Sequence, residues 1–169
     1  MIIIDGPDAT GKSYLAKAIS RATNWPIQPS EGPEKAPGEI LARCEKYLRL
    51  SDFTIFDRHP IISQSIYGPL ARKTAIPPYL LIALKQKDPL IIQAHPENHF
   101  PHEEKEHDTP EHLQMIAKQR EIIVDHYNQF FILYFPSRLV YRPQFIESIV
   151  NSAAAYARRR MENVKTKIS

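Results

Sequence analysis

The chain has a single cysteine, Cys44, among its 169 residues. One thiol excludes an internal disulfide framework and any zinc site built from cysteines, and it suits a reducing compartment. Cys44 falls on the apolar stripe of a helical segment and reads as a packed side chain rather than a nucleophile. Long hydrophobic runs are missing too. No apolar stretch approaches the roughly 18 residues of a membrane span, and Met1 is followed by a strand-like segment, not by a basic region and an apolar leader. The expectation is a soluble cytoplasmic protein without a targeting segment. Neither sign of charge dominates: 22 Lys and Arg face 19 Asp and Glu, a net charge of +3. That excess is too small to argue for nucleic-acid binding. Basic residues gather late, and the Arg158-Arg159-Arg160 run reads as a solvated helix end.

What remains is ample for a core. Hydrophobic residues make up 43% and charged residues 24%, the balance of an ordinary globular domain. The length fits one domain over 1–169. Short apolar runs at 2–4, 53–56, 90–94 and 131–135 read as buried strands. Helical periodicity marks 12–22, 39–50, 79–85, 113–130 and 143–161, with a helical or turn segment at 61–70. The stretch 23–38 is polar and proline-rich and reads as a loop. Strands alternating with helices predict an α/β fold around a parallel sheet, with ligands at the carboxyl ends of the strands.

Glycine is scarce, five in the chain, yet two of them frame Gly6-Pro7-Asp8-Ala9-Thr10-Gly11-Lys12-Ser13. This is G-x4-G-K-S/T, between an apolar strand and an amphipathic helix. The spacing turns backbone N–H groups of residues such as Ala9, Thr10, Gly11 and Tyr14 toward a phosphate, at the positive end of the helix dipole. Lys12 reaches the β- and γ-phosphates, and Ser13 supplies a Mg²⁺ ligand. Asp57-Arg58-His59 closes the second apolar run, so it arrives at the same sheet edge. A carboxylate there can hold a magnesium-bound water or orient an acceptor, and an arginine can bridge anionic donor and acceptor.

These residues resemble the thymidylate kinases and related deoxynucleotide and deoxynucleoside kinases. The loop acid Asp8 stands where that family has an acid that organises magnesium and the acceptor sugar. Asp5 and Ala9 depart from the family's usual Glu and Gly. The run from Asp57 to Tyr67 is similar to the family's D-R-Y/H-x-x-S-x-x-A-Y signature, with one extra residue before Ser63. The resemblance implies a three-layer P-loop kinase fold with a mobile lid, here about 95–112. It also implies ATP as donor with Mg²⁺, and catalytic roles for Lys12, Asp8, Asp57 and Arg58. On the acceptor side it implies Asp8, Arg58, Gln64 beside the base, Tyr67 beneath the sugar where it disfavours a 2′-hydroxyl, and Arg72. Glu31, Arg43 and Arg49 are further candidates for base or phosphate contacts.

Family members draw a catalytic arginine from the P-loop or the lid. Here neither holds one: 95–112 contains Lys105, five histidines and six acidic residues. The cation is expected from Arg58, Lys105, Lys118 or Arg120. The histidines show no metal-site geometry and read as part of a solvated lid. Arg138, after the 131–135 run, is placed on the adenine side, with Arg142 nearby.

The functional expectation is a deoxynucleoside monophosphate kinase. The alternatives are a deoxynucleoside kinase that phosphorylates a 5′-hydroxyl and a non-kinase nucleotide switch. Nucleotides are the expected partners, with a homodimer compatible and no membrane or nucleic acid.

Overall fold

Ile2, Ile3 and Ile4 are fully buried and alternate between two faces of one strand, which is why the run is continuously apolar. The computed structural model describes residues 1–36, 38–70, 74–95, 97–98 and 110–168, without the side chains of 110–120 and 167–168. The strands are β1 (Ile2–Asp5), β2 (Ile27–Gln28), β3 (Ile55–Asp57), β4 (Leu90–Ala94) and β5 (Leu139–Tyr141). They form one parallel sheet in the order β2-β3-β1-β4-β5. The helices are α1 (Lys12–Thr23), α2 (Glu39–Arg49), α3 (Pro60–Leu70), α4 (Pro78–Gln86), α5 (Pro110–Tyr134) and α6 (Ile146–Ile168), the last preceded by a 3₁₀ turn at Pro143–Phe145.

The sheet separates two cores. On one face Ile3, Phe56 and Ile91 meet apolar side chains of α2, α3, α4 and α5. On the other, Ile2, Ile4, Ile55 and Ile92 meet Leu15, Ala16 and Ile19 of α1 and Ile149, Ala153 and Ala157 of α6. Small residues at the α1–α6 contact let the two helices approach closely. This is the three-layer α/β arrangement expected. Among the described residues no helix is long and apolar enough to cross a membrane.

Two elements differ from the sequence reading. The run 131–135 is not a strand: it finishes α5 and leads out of it. Tyr127, Phe130 and Phe131 are buried at helical spacing, whereas Ile132 and Leu133 are 63% and 70% exposed. A strand would have alternated. The last strand comes later, at Leu139–Tyr141. Ile27–Gln28, within the expected loop, adds a short edge strand to β3. The proposed lid, 95–112, lies mostly outside the described residues; its last three belong to the first turn of α5.

Candidate active site

The order of strands places β1 between β3 and β4, so the loop after β1 and the turn after β3 emerge side by side. Ile4 pairs with Asp57, and the Arg58 N–H donates to the Ile4 carbonyl at 2.9 Å. The loop 6–11 turns tightly from β1 into α1. Gly6 has φ 155° and a Cβ there would stand 2.7 Å from the Ala94 carbonyl oxygen, so the loop lies directly on the end of β4. Ala9 adopts φ 54°, a left-handed conformation that glycine takes without steric cost. Asn98 holds the loop from the other side: its amide donates to the Thr10 carbonyl at 3.3 Å and to the Tyr141 carbonyl at 3.0 Å.

Lys12 is buried, and its ammonium donates to the Pro7 carbonyl and, at 3.4 Å, to the Thr10 hydroxyl. Burial, then the charge of Arg58, lowers its pKa to about 7, against the pull of Asp8, Asp5 and Asp57. Ser13 at the start of α1 donates its hydroxyl to Asp57 at 2.5 Å. A neutral and an anionic oxygen thus converge at the mouth of the loop. That pair suits a hard cation that takes its other oxygens from water and phosphate. Among the described residues no cluster of three His, Cys, Asp or Glu side chains is arranged to hold a metal by itself. Tyr14, in the first turn of α1, is 60% exposed.

Arg58 has φ 70°, a strained conformation for a residue with a side chain. Its guanidinium donates to the Asp8 carboxylate and, at 3.4 Å, to the Tyr127 hydroxyl. It also stands 5.9 Å from the centre of the Tyr67 ring. Tyr67 and Tyr127 meet edge to face at 5.9 Å. The Tyr67 hydroxyl is buried near Arg58 and Tyr127, yet makes no hydrogen bond of normal geometry to a described residue.

Beneath this layer lies Asp5, fully buried. One carboxylate oxygen accepts from the Gly6 N–H at 2.8 Å and the Tyr127 hydroxyl at 2.9 Å. The other accepts from the His59 N–H at 3.2 Å and the Ser63 hydroxyl at 3.0 Å. Burial pushes the Asp5 carboxyl up, opposed by the charge of Arg58, the Gly6 amide, the Tyr127 hydroxyl and Lys12. The His59 ring points into the core against Tyr47 and Phe56, and burial lowers its pKa to about 3. His59 is therefore a neutral packing residue, not an acid or base.

The other predicted residues are more dispersed. The Gln64 amide donates to the Thr74 carbonyl at 2.7 Å, and Thr74 in turn donates its hydroxyl to Glu34 at 3.0 Å. Gln64 thereby ties α3 to the loop at 29–36. Arg43 of α2 is a strut against that loop, bonded to the Gly32 carbonyl and to Glu39 of its own helix at 2.5 Å each and paired with Glu31 at 3.5 Å. Arg49 is exposed and pairs with Glu45. Arg72 and Lys105 lie outside the described residues, as do the side chains of Lys118 and Arg120. Arg138 needs correction. It precedes the last strand instead of following it, and it bonds Gln93 of β4 from the amino end of β5. The residue that follows the last strand is Arg142, whose guanidinium reaches His95 at 2.9 Å and Glu97 at 3.2 Å.

Asp5, Asn98 and Tyr127 were not predicted as site residues. Asp5 reads as the end of a strand, at the place where the resembled kinases have Glu, and Tyr127 as one member of an apolar stripe. The available signal was chemical: a buried tyrosine hydroxyl seeks a partner, and the nearest carboxylate at the sheet edge is Asp5.

No family model and no curated protein matches the chain. Solved structures do. The YorR protein from Bacillus subtilis, in complex with phosphorylated GDP, matches with a TM-score of 0.62 at 16% identity, over 98% of this chain and 96% of that one. Deoxyadenosine kinase from M. mycoides, with dCMP and dCDP bound, matches with a TM-score of 0.53 at 16% identity, over 96% and 98%. The same enzyme with dCTP gives 0.50 at 14% identity. The five-stranded parallel sheet flanked by helices is thus the fold of the YorR protein and of the M. mycoides kinase, matched across nearly the whole length of each chain.

Proposed function

We propose that the chain is an ATP-dependent nucleotide kinase that transfers the γ-phosphoryl group to a deoxynucleoside monophosphate. The observation that carries this reading is the place of Arg58, between the P-loop acid Asp8 and the Tyr67–Tyr127 pair. A guanidinium held between a phosphate loop and the Tyr67 ring, itself backed by the fully buried Tyr127, suits an anionic acceptor with a flat base and sugar.

In this reading the amides of loop 6–11 and the start of α1 take the donor phosphates. Lys12 exchanges its contact with the Pro7 carbonyl for phosphate oxygens, which restores its full charge. Ser13, and Asp57 through a bound water, would hold Mg²⁺, which would supply positive charge to offset that of the phosphates. A phosphate oxygen of the acceptor forms the new bond to the γ-phosphorus as the β–γ bridging bond breaks, leaving ADP. Arg58 pairs with the acceptor phosphate and with the group in flight, a contact that strengthens as charge develops. An acceptor phosphate is already ionised near neutral pH, so no general base is required. Asp57 is then free to serve the metal, in keeping with its bond to Ser13. Tyr67 packs under the sugar and leaves little room for a 2′-hydroxyl.

The likeness to the M. mycoides enzyme supports a second reading, a deoxynucleoside kinase in which Asp57 would take the 5′-hydroxyl proton. Arg58→Ala separates the two. For a monophosphate acceptor, its KM rises and kcat falls on the order of 10²-fold, the scale of losing one preorganised charge-stabilising donor, while KM for ATP changes little. A fall in kcat with unaltered acceptor KM would favour the nucleoside.

A further inference from the structure

The resting arrangement around Arg58 contains a group that the proposed chemistry does not use. Tyr127 belongs to α5, the helix that follows the region assigned to the lid, and is fully buried. Its hydroxyl has one proton, and that proton goes to Asp5 at 2.9 Å. Only lone pairs are left for Arg58, whose guanidinium donates to them at 3.4 Å. The direction of the two bonds is therefore fixed: Arg58 to Tyr127, Tyr127 to Asp5. A hydroxyl that donates to a carboxylate is a better acceptor than a free one, because each bond polarises the next.

Asp5 is not in hydrogen-bond contact with the guanidinium. Its carboxylate is occupied by Gly6, His59, Ser63 and Tyr127, one group each from the P-loop, the turn after β3, α3 and α5. Asp8, another partner of Arg58, has a side chain 46% exposed, so its pairing with the guanidinium is open to solvent screening. Tyr127 is the buried partner, and a buried partner fixes direction better than an exposed one. The ring is held in turn by Phe131, stacked at 6.0 Å, and by Tyr67.

We propose that Tyr127 is a positioning residue. It relays the negative charge of Asp5 to Arg58, and it makes the aim of the Arg58 guanidinium depend on the seating of α5. The role in catalysis rests on the reading of Arg58 given above; the coupling of Tyr127 to Arg58 does not. In this arrangement the helix behind the lid region sets the acceptor-side cation without touching substrate.

Tyr127→Phe removes the hydroxyl and keeps the ring packing. The first readout needs no substrate: the Arg58 side-chain Nε–H resonance in ¹⁵N-labelled protein, assigned by its loss in Arg58→Lys. It should move toward the position of exposed arginines in Tyr127→Phe, while the buried Arg43 resonance stays in place. The second is kinetic, with whichever nucleotide or nucleoside the wild type phosphorylates. kcat/KM for the acceptor should fall about tenfold, the scale of a hydrogen bond to a charged group, with KM for ATP unchanged. In an Arg58→Ala background the same substitution should cost less than about twofold, since coupled residues are not additive. An unmoved Arg58 resonance, or an equal loss of activity in both backgrounds, overturns the proposal. If the wild type phosphorylates no acceptor, the kinase reading fails and the resonance still decides whether Tyr127 positions Arg58.

Discussion

Gly6 and Ala94 are in backbone contact across the β1–β4 boundary: a Cβ built on Gly6 would lie 2.7 Å from the Ala94 carbonyl oxygen and 3.0 Å from its Cβ. The phosphate loop is seated on β4 by that approach, and neither backbone can yield cheaply. Gly6→Ala should therefore lift the loop off the sheet. The expected loss is about 1–3 kcal/mol of stability, the usual cost of overpacking, with ATP binding weakened as well. Urea unfolding and a fluorescent ATP analogue check both. A variant with wild-type stability and affinity would show that the loop tolerates a side chain there.

The Lys12 pKa of about 7 gives a second expectation. Burial holds it below the ordinary lysine value, so at pH 8 much of the free protein carries Lys12 neutral. Bound phosphates raise the pKa again, and ATP binding should take up a fraction of a proton. Calorimetry at pH 8 in buffers of different ionisation enthalpy measures that uptake, and Lys12→Met should abolish it. The stability sign follows from the same shift. The unfolded chain binds more protons than the folded one between about 7 and the ordinary value near 10.4. This residue's contribution to stability therefore grows as pH rises through that window. Uptake equal in wild type and Lys12→Met would place the proton elsewhere.

Much of this site is legible in the primary structure because its parts are local. Gly6 to Ser13 carries its geometry in eight consecutive residues, and Asp57-Arg58 follows a strand whose apolar run is unambiguous. The unread parts are those set by tertiary contacts. The 131–135 run is rich in aromatic and β-branched residues, which favour strands intrinsically. Burial of Tyr127, Phe130 and Phe131 against α3 and the sheet makes it helical instead. That displacement moved the last strand by several residues and put Arg142, rather than Arg138, in the loop after it. Ile27–Gln28 is too short to signal a strand and forms one only beside β3. The bonds that gather on Asp5 come from residues up to 122 positions away, a separation that no local pattern encodes.

Tyr67 should govern the choice of sugar. Its ring packs against Tyr127 and under Arg58. Tyr67→Ala opens room where a 2′-hydroxyl would lie, so the ribo-to-deoxyribo ratio of kcat/KM should rise, by about tenfold for a contact worth 1–2 kcal/mol. Tyr67→Phe keeps the ring and removes a buried hydroxyl that makes no hydrogen bond of normal geometry among the described residues. That change should leave the ratio unchanged and the melting temperature equal or higher. A ratio that does not move in Tyr67→Ala would mean that this ring is core packing only.

The central claim is the identity of the acceptor. The direct measurement incubates the protein with ATP, Mg²⁺ and, in parallel, the four deoxynucleosides and their 5′-monophosphates, and identifies products by chromatography and ³¹P NMR. We expect a deoxynucleoside diphosphate and ADP in equal amounts from at least one monophosphate, lost on chelation of the metal and in Lys12→Ala. Product from deoxynucleosides alone, or none from any acceptor, would contradict the account.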